Sequence, residues 1–195
     1  MSTIRLIVGL GNPGPQYEQT RHNAGSWLIE AMVRHYNLTL NTDRKFFGHV
    51  AKLSRPSGDV QLLIPATFMN LSGQAVQALA NYYKIEPEEI LVAHDELDFD
   101  PGTVRLKQAG GHGGHNGLRD IINKLGGNKN FYRLRIGIGH PGDKKLVHDY
   151  VLGRPSVADR QQIERSIEDI EQVIETIIDG EMVRAMNTLH TNEKG

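Results

Sequence analysis

The stretch that decides the fold of this chain is IRLIVGLGNPGPQYEQTRHNAG, residues 4–25. It begins with an apolar run, Ile4 to Val8, that has the composition of a buried β-strand. A loop rich in glycine and proline follows, which contains Asn12 and delivers His22. Proteins of the α/β class present reactive side chains on loops of this kind, at the edge of a buried sheet. The stretch therefore predicts an α/β fold whose first loop carries functional groups.

Strand and helix patterns alternate along the rest of the chain. Five further apolar runs predict strands at residues 48–53, 60–64, 90–93, 103–107 and 134–138. Apolar side chains at steps of three and four predict helices around residues 27–32, 71–83, 118–125, 163–177 and 182–189. A predicted hairpin at residues 54–59 makes the sheet mixed rather than purely parallel. We therefore expect a single domain, residues 1–195, built as a three-layer α/β sandwich with helices on both faces of one twisted sheet.

Two segments follow the last predicted strand. Residues 140–156 are rich in glycine, proline and lysine, and we expect them to be the most mobile part of the chain, a lid before the terminal helices. Residues 156–190 contain the cleanest helix pattern, and Gly180 is expected to end the longer of two C-terminal helices.

Composition and charge limit the classes of function. The chain has no cysteine, which excludes disulfides, a thiolate nucleophile and cysteine-ligated metal sites. No apolar run is long enough to span a membrane and no signal pattern is present, so we expect a cytoplasmic protein. The net charge is −1, but residues 101–150 carry nine Lys or Arg against three Asp or Glu. That segment is either a solvated helix face or a basic patch that meets phosphates.

The glycines of the first loop match a dinucleotide-binding pattern that we reject. Gly9, Gly11 and Gly14 have the spacing of that fingerprint, which requires a helix to open at the second glycine. Pro13 and Pro15 oppose immediate helix propagation at this point. The acidic residue expected at the end of a second strand, about 20 positions further on, is also missing. We therefore expect no nucleotide cofactor.

A second glycine-rich loop, GGHGGHNG at residues 110–117, contains two histidines and an asparagine. His112 and His115, together with His94 and Asp95, are conceivable metal ligands, although no recognised ligand set accompanies them. The loop is otherwise a turn that caps the following helix, with Asn116 as the capping residue, or a loop that faces a substrate. We favour the substrate-facing interpretation, because a simple linker does not need these polar side chains.

Two polar segments follow predicted strands. Asp95, in the segment HDELD, would lie at the carboxyl edge of the sheet, where it could orient a histidine, hold a metal or cap a turn. No GxSxG motif supplies a serine nucleophile, so a dyad of Asp95 with His22 would indicate direct attack by water. Asn70 follows Phe68 and Met69 just before a predicted helix, where an amide is either a helix cap or a substrate ligand.

Taken in order, five segments resemble the bacterial-type peptidyl-tRNA hydrolase family: VGLGNPGPQYEQTRHNAG, FMNLSG, HDELD, GGHGGHNGLRDI and FYRLRIGIGHPG. The resemblance runs from about Ile4 to Gly153. It implies a monomeric α/β enzyme, without metal or cofactor, that cleaves the ester between a peptide and the 3′ end of tRNA and so recycles the tRNA.

The resemblance also implies a role for each matching residue. His22 would be the general base that activates water, and Asp95 would orient it, while Asn12 would read the N-blocked peptidyl group. Asn70 and Asn116 would hold the peptide backbone and the tRNA end. The remaining implied contacts with the substrate are Tyr17, Phe68, Met69 and His115 along the cleft, and Lys107 and Arg135 near the 5′-phosphate of the tRNA.

Two other classes of function compete with this interpretation. A non-catalytic RNA-binding protein on the same scaffold would not need a positioned base, which argues against it. An esterase of small substrates would not need the basic segment at residues 101–150, and it would usually carry a nucleophile.

Overall fold

The computed structural model describes residues 3–191, which form a mixed sheet with helices on both of its faces. The strands are β1 (Leu6–Gly9), β2 (Asn41–Asp43), β3 (Gly48–Leu53), β4 (Val60–Pro65), β5 (Ile90–Glu96), β6 (Val104–Gln108) and β7 (Tyr132–Gly137). The helices are α1 (Ala24–His35), α2 (Ser72–Tyr83), α3 (Asn116–Lys124), α4 (Val147–Val151), α5 (Val157–Ile178) and α6 (Met182–Thr191). The α/β class and the three layers expected from the sequence are confirmed.

The strand order is β2-β3-β4-β1-β5-β7-β6. Neighbours β4, β1, β5 and β7 run parallel, whereas β2, β3 and β6 run antiparallel to their neighbours. The expected hairpin joins β3 to β4. Because the four parallel strands end at the same edge, the loops that follow them meet there.

Alternating side chains of the parallel strands build a separate core on each face. Ile7 of β1 and Leu91 of β5 pack with α1, α5 and α6, while Val8 and Val92 pack with α2 and α3. On the face of the sheet that packs against α2 and α3, the end formed by β6 and β7 is lined by basic side chains instead of apolar ones. Strand alternation therefore predicts which residues lie beside the helices and which remain open.

Glycines bring the first helix directly onto the sheet. A Cβ at Gly25 would collide with the carbonyl oxygen of Ala93 on β5, and a Cβ at Gly9 would collide with the carbonyl oxygen of Gly25. Helix α1 therefore begins in backbone contact with β1 and β5. The one-turn 3₁₀ helix Arg21–Asn23, which immediately precedes α1, is consequently held at the carboxyl edge of the sheet.

The structure corrects several local expectations. Strand β2 was not predicted, and β5 continues three residues beyond its expected end at residue 93. Helix α3 is capped by His115, whose side chain accepts hydrogen bonds from backbone N–H groups, so the expectation that Asn116 is the cap was wrong. The segment at residues 140–156, expected as a mobile lid, contains the short helix α4, and its mobility stays a prediction. None of the helices within residues 3–191 combines the length and apolar character needed to cross a membrane.

Candidate active site

The candidate side chains gather in a cleft of about 1020 Å³ beside the carboxyl ends of the parallel strands. Ten of the eleven site residues expected from the sequence line it: Asn12, His22, Phe68, Met69, Asn70, Asp95, Lys107, His115, Asn116 and Arg135. The eleventh, Tyr17, packs edge-on against the ring of Phe68, with centroids 6.4 Å apart. The structure therefore brings together residues that are separated by more than a hundred positions in the chain.

A buried carboxylate in the cleft joins two histidines. Oδ2 of Asp95 lies 2.8 Å from Nδ1 of His22, and Oδ1 lies 2.8 Å from Nε2 of His115. The two imidazole rings are 5.0 Å apart between centroids. The dyad left open by the sequence is thus formed, and a second histidine occupies the other oxygen of the same carboxylate.

The hydrogen bonds around His115 determine where the protons lie. Its Nδ1 accepts from the backbone N–H groups of Gly117 and Leu118, at 3.1 and 3.4 Å, so Nδ1 carries no proton. Nε2 of neutral His115 must then be protonated and donates to Asp95. His22 likewise donates from Nδ1 to Asp95, which leaves its Nε2 lone pair without a hydrogen-bond partner among residues 3–191. This is the tautomer that a general base requires.

Burial and charge act against each other on this pair. Burial lowers the pKa of His22, but the charge of Asp95 and the hydrogen bond to it raise that pKa, with a net increase above the ordinary value. Burial raises the pKa of Asp95, yet the two histidines and their hydrogen bonds more than offset this and hold it well below its usual range. Asp95 is therefore ionised, and His22 binds protons more tightly than an isolated histidine.

The ligand atoms of His22, Asp95 and His115 lie within 4.8 Å of one another, as in a candidate metal site. The hydrogen bonds oppose that use. A metal would need the lone pair of His115 Nε2, but that atom carries the proton because Nδ1 accepts from two backbone N–H groups. These residues therefore do not fit a metal ion in this arrangement.

Asn12 is fixed by both its backbone and its side chain. Its N–H donates to Oδ1 of Asn23 at 2.9 Å, and its carbonyl oxygen accepts from Nδ2 of Asn23 at 3.0 Å. Its own Oδ1 accepts from the backbone N–H of Met69 at 2.7 Å. Because the oxygen is occupied, the side chain of Asn12 presents its amide N–H₂ group to the cleft as a hydrogen-bond donor.

Comparison with known proteins agrees with this geometry. The model of the family described as Peptidyl-tRNA hydrolase matches residues 6–195. The chain belongs to the peptidyl-tRNA hydrolase family. A peptidyl-tRNA hydrolase of Haemophilus influenzae is 59% identical over 191 residues, which cover 98% of each chain. The crystal structure of the peptidyl-tRNA hydrolase from Acinetobacter baumannii is 48% identical, with a TM-score of 0.93 over 97% of this chain and 96% of that one.

A second curated relative, the peptidyl-tRNA hydrolase of Actinobacillus pleuropneumoniae, is 57% identical over 97% of this chain and 98% of its own length. The family expected from the sequence motifs is thereby confirmed. With it the enzyme class is confirmed, a hydrolase that acts on peptidyl-tRNA.

Basic side chains extend the cleft along the β6–β7 end of the sheet. Lys107 has no hydrogen-bond or ion-pair partner among the described residues and lines the cleft. Arg135, by contrast, donates from Nε to Glu96 at 2.8 Å and lies 3.9 Å from Asp98. Both residues were expected to contact the tRNA near its 5′-phosphate. Of the two, only Lys107 lacks a hydrogen-bond or ion-pair partner among the described residues.

Three residues with a part in this site were not assigned one from the sequence. Asn23 holds Asn12, and its position in the HNAG segment was the only signal of it. Arg133 is buried and donates to the carbonyl oxygens of Gly110 and Gly111, so it anchors the glycine-rich loop. His94 was considered only as a metal ligand; its ring is 3% exposed, and Nδ1 donates to the carbonyl oxygen of Asp95 at 2.8 Å.

Proposed function

We propose that this chain cleaves the ester between an N-blocked peptidyl group and the 3′ end of tRNA through water activated by His22, and so returns the tRNA to translation. The hydrogen bond between His22 and Asp95 in the cleft is the observation that carries this proposal. It directs the basic Nε2 of His22 away from the carboxylate. A base held in this way can deprotonate a water molecule without a protein nucleophile.

The reaction follows from the protonation states. Nε2 of His22 takes a proton from water as the oxygen attacks the ester carbonyl carbon, and a tetrahedral oxyanion forms. The resulting imidazolium is stabilised by the ionised Asp95, 2.8 Å from Nδ1. When the intermediate collapses, the ester C–O bond to the ribose breaks, and the imidazolium returns its proton to the leaving ribose oxygen. The products are a free peptide and a tRNA with an intact 3′ end.

Asparagine side chains suit the recognition of a peptidyl group. The N–H₂ of Asn12 can donate to the carbonyl of the blocked amino group, which a free amino acid ester lacks, so unblocked aminoacyl-tRNA would be spared. Asn70 and Asn116 would hold the peptide backbone and the tRNA end, and Asn70 would also donate to the oxyanion. Both amides line the cleft.

The aromatic residues would contact the terminal base of the tRNA, and the basic residues would contact its 5′-phosphate region. Phe68 is 56% exposed, and with Tyr17 against its ring it would stack on the terminal base. Met69 would form the apolar wall beside them. Lys107 would contact the 5′-phosphate region directly, whereas Arg135, held by Glu96, would contribute a weaker contact.

His115 is proposed as an orienting residue in addition to its expected place beside the substrate. Both of its ring nitrogens are engaged within the protein, one by Asp95 and one by backbone N–H groups, so only its ring face remains for a substrate. By fixing Oδ1 of Asp95 it aims Oδ2 at His22.

We further propose that the enzyme works as a monomer and a single domain in the cytoplasm. The contacts that fix His22 and Asn12, with Asp95 and Met69, are made within one chain, which supports a site that is complete in a monomer. One continuous sheet separates the two cores, which supports a single domain. The substrate is an intermediate of translation, which places the reaction where ribosomes work.

The decisive experiment measures release of N-acetyl-aminoacyl groups from tRNA by the purified protein, with and without EDTA, beside unblocked aminoacyl-tRNA. We expect cleavage of the blocked substrate alone, unaffected by EDTA. The variant His22→Ala should lose activity by about 10²- to 10⁴-fold while its affinity for tRNA stays within a few-fold of the wild type.

Other results would contradict the proposal. Binding of tRNA without cleavage would leave a non-catalytic RNA-binding protein. Loss of cleavage in EDTA would indicate that a histidine-bound metal carries out the catalysis. Equal activity on short N-acyl esters without tRNA would indicate an ordinary esterase.

A further inference from the structure

The residue before the catalytic histidine is tied to the segment that follows the last strand. The guanidinium of Arg21 lies 3.8 Å from the ring centroid of Tyr150, and its Nη1 donates to the carbonyl oxygen of Tyr150 at 2.8 Å. The backbone N–H of Arg21 donates to the carbonyl oxygen of Gly153 at 3.0 Å. One residue therefore makes three contacts with the chain 129 to 132 positions later.

The partner of Arg21 is itself fixed. The hydroxyl of Tyr150 donates to the carbonyl oxygen of Ile138 at 2.7 Å, just beyond the end of β7. Val151 beside it is buried in the core formed by α1, α5 and α6. A Cβ at Gly153 would come within 3.0 Å of Nη1 of Arg21, so the backbone lies close against the guanidinium. A hydrogen bond and core packing thus hold the residues around α4 in contact with Arg21.

The position of Arg21 makes this contact relevant to catalysis. Arg21 and His22 are consecutive residues of the 3₁₀ turn Arg21–Asn23, so a displacement of one backbone displaces the other. The Nε atom of Arg21 is buried without a hydrogen-bond partner among residues 3–191, which costs stability rather than adding to it. The arrangement therefore fixes the position of the turn but leaves the buried Nε donor of Arg21 unsatisfied.

We propose that Arg21 is a positioning residue, which clamps the turn carrying His22 to Tyr150 and Gly153 and so sets the distance between His22 and Asp95. This inference rests on the role proposed above for His22. The clamp consists of Arg21, Tyr150 and Gly153, and it touches neither the substrate nor the reacting atoms. Its effect is on geometry: a misplacement of about 1 Å in a catalytic group can lower a rate by about 100-fold.

Two variants weaken the clamp, one by changing Arg21 and the other by changing Tyr150. Arg21→Lys keeps the charge but loses the planar guanidinium that both stacks and donates. Tyr150→Leu keeps an apolar side chain but removes the ring beneath the guanidinium. Tyr150→Phe retains the ring and loses only the hydroxyl contact with Ile138. Arg5→Lys is the matched control, because Arg5 also donates to main-chain carbonyl oxygens, those of Tyr83 and Lys84, away from the cleft.

The experiment measures kcat, KM and the pH profile with N-acetyl-aminoacyl-tRNA, and follows the His22 ring by NMR in the same variants. We expect Arg21→Lys and Tyr150→Leu to lower kcat by about 10- to 100-fold with KM within about threefold of the wild type. The NMR titration of His22 should shift in both, because its contact with Asp95 is loosened. Tyr150→Phe should lower kcat less than Tyr150→Leu, because it keeps the ring beneath the guanidinium, and Arg5→Lys should retain kcat within about threefold. The double variant Arg21→Lys/Tyr150→Leu should be no slower than the slower single variant.

Three results would overturn the clamp. These are kcat values like the wild type in both variants, a decrease in thermal stability with kcat and the His22 titration unchanged, or additive effects in the double variant. The inactive variant His22→Ala separates this failure from failure of the catalytic assignment. If His22→Ala remains active, the proposed mechanism is wrong; if it is inactive while the Arg21 variants are normal, only the clamp is wrong.

Discussion

Replacing Asp95 with asparagine removes the charge of the carboxylate while nearly preserving its size and burial. In the wild type both carboxylate oxygens accept hydrogen bonds, one from His22 and one from His115. An amide offers one acceptor and one donor in their place. The substitution therefore changes the hydrogen-bond pattern without creating a cavity.

Neither orientation of the amide satisfies both histidines in their wild-type tautomers. If its N–H₂ group faces His22, the imidazole must present the Nδ1 lone pair, so Nε2 becomes protonated and cannot accept a proton from water. If its oxygen faces His22, its N–H₂ group meets the protonated Nε2 of His115. His115 cannot change tautomer, because its Nδ1 accepts from Gly117 and Leu118. We therefore expect the first orientation to predominate.

The magnitude follows from the loss of the base. General-base catalysis contributes about 10²- to 10⁴-fold, equivalent to about 3–5 kcal/mol of activation free energy. The pKa of His22 should also fall, because burial then acts without the opposing charge of Asp95. Because the proposed mechanism uses neutral His22, we expect the acid limb of kcat/KM to lie above the ordinary histidine pKa in the wild type and to move to lower pH in the variant.

The assay is the pH dependence of kcat/KM on N-acetyl-aminoacyl-tRNA, with thermal unfolding as a check on folding. Asp120→Asn is the control, because Asp120 also accepts hydrogen bonds from a backbone N–H and a cation, those of Gly73 and Lys124, but does not line the cleft. Activity of Asp95→Asn within about threefold of the wild type, or an acid limb that does not move, would refute the reasoning.

Three further predictions concern stability and binding. Burial lowers the pKa of His94 to about 4, so the wild type should lose up to about 3 kcal/mol of unfolding free energy between about pH 6.5 and pH 4, where only the unfolded chain takes up the proton. His94→Asn should make urea-unfolding curves less dependent on pH in this range, and an unchanged dependence would contradict the prediction. Gly25→Ala should destabilise the protein by about 1–3 kcal/mol in denaturant titrations, because the new methyl group meets the main chain at residue 93; wild-type stability would show that α1 can shift freely. Lys107→Ala should lower the slope of log Kd for tRNA against log salt by about 1, and Arg135→Ala should lower it less; equal slopes for both variants and the wild type would exclude phosphate contacts at these residues.

Most of the fold could be predicted because its elements bury regular apolar patterns. Period-two and period-3.6 patterns identified six of the seven strands and the main helices. Strand β2, residues NTD, was missed because it is polar and only three residues long at the edge of the sheet. The extension of β5 was missed because its last three residues, His94, Asp95 and Glu96, are polar and end the apolar run. Helix α4 is five residues long, too short to show a period.

The residues that line the cleft could be named from the motifs, but their contacts could not. The tautomer of His115 depends on backbone N–H groups that only the folded turn aims at it. The pairing of Arg135 with Glu96 joins positions 39 apart, and the contact of Arg21 with Tyr150 joins positions 129 apart. Neither pair has a local sequence pattern. The sequence therefore predicts which polar side chains the site contains. It does not predict which of them bind other protein groups and which remain available to a substrate.

The central claim is that His22 is the general base and that Asp95 orients its imidazole and raises its pKa. The most direct test compares two pKa values in the wild-type enzyme, that of the His22 imidazole from NMR titration and that of the acid limb of kcat/KM. We predict that the two coincide and lie above the ordinary value of about 6.5. A His22 pKa that differs clearly from the kinetic one would contradict the account and assign the base to another group.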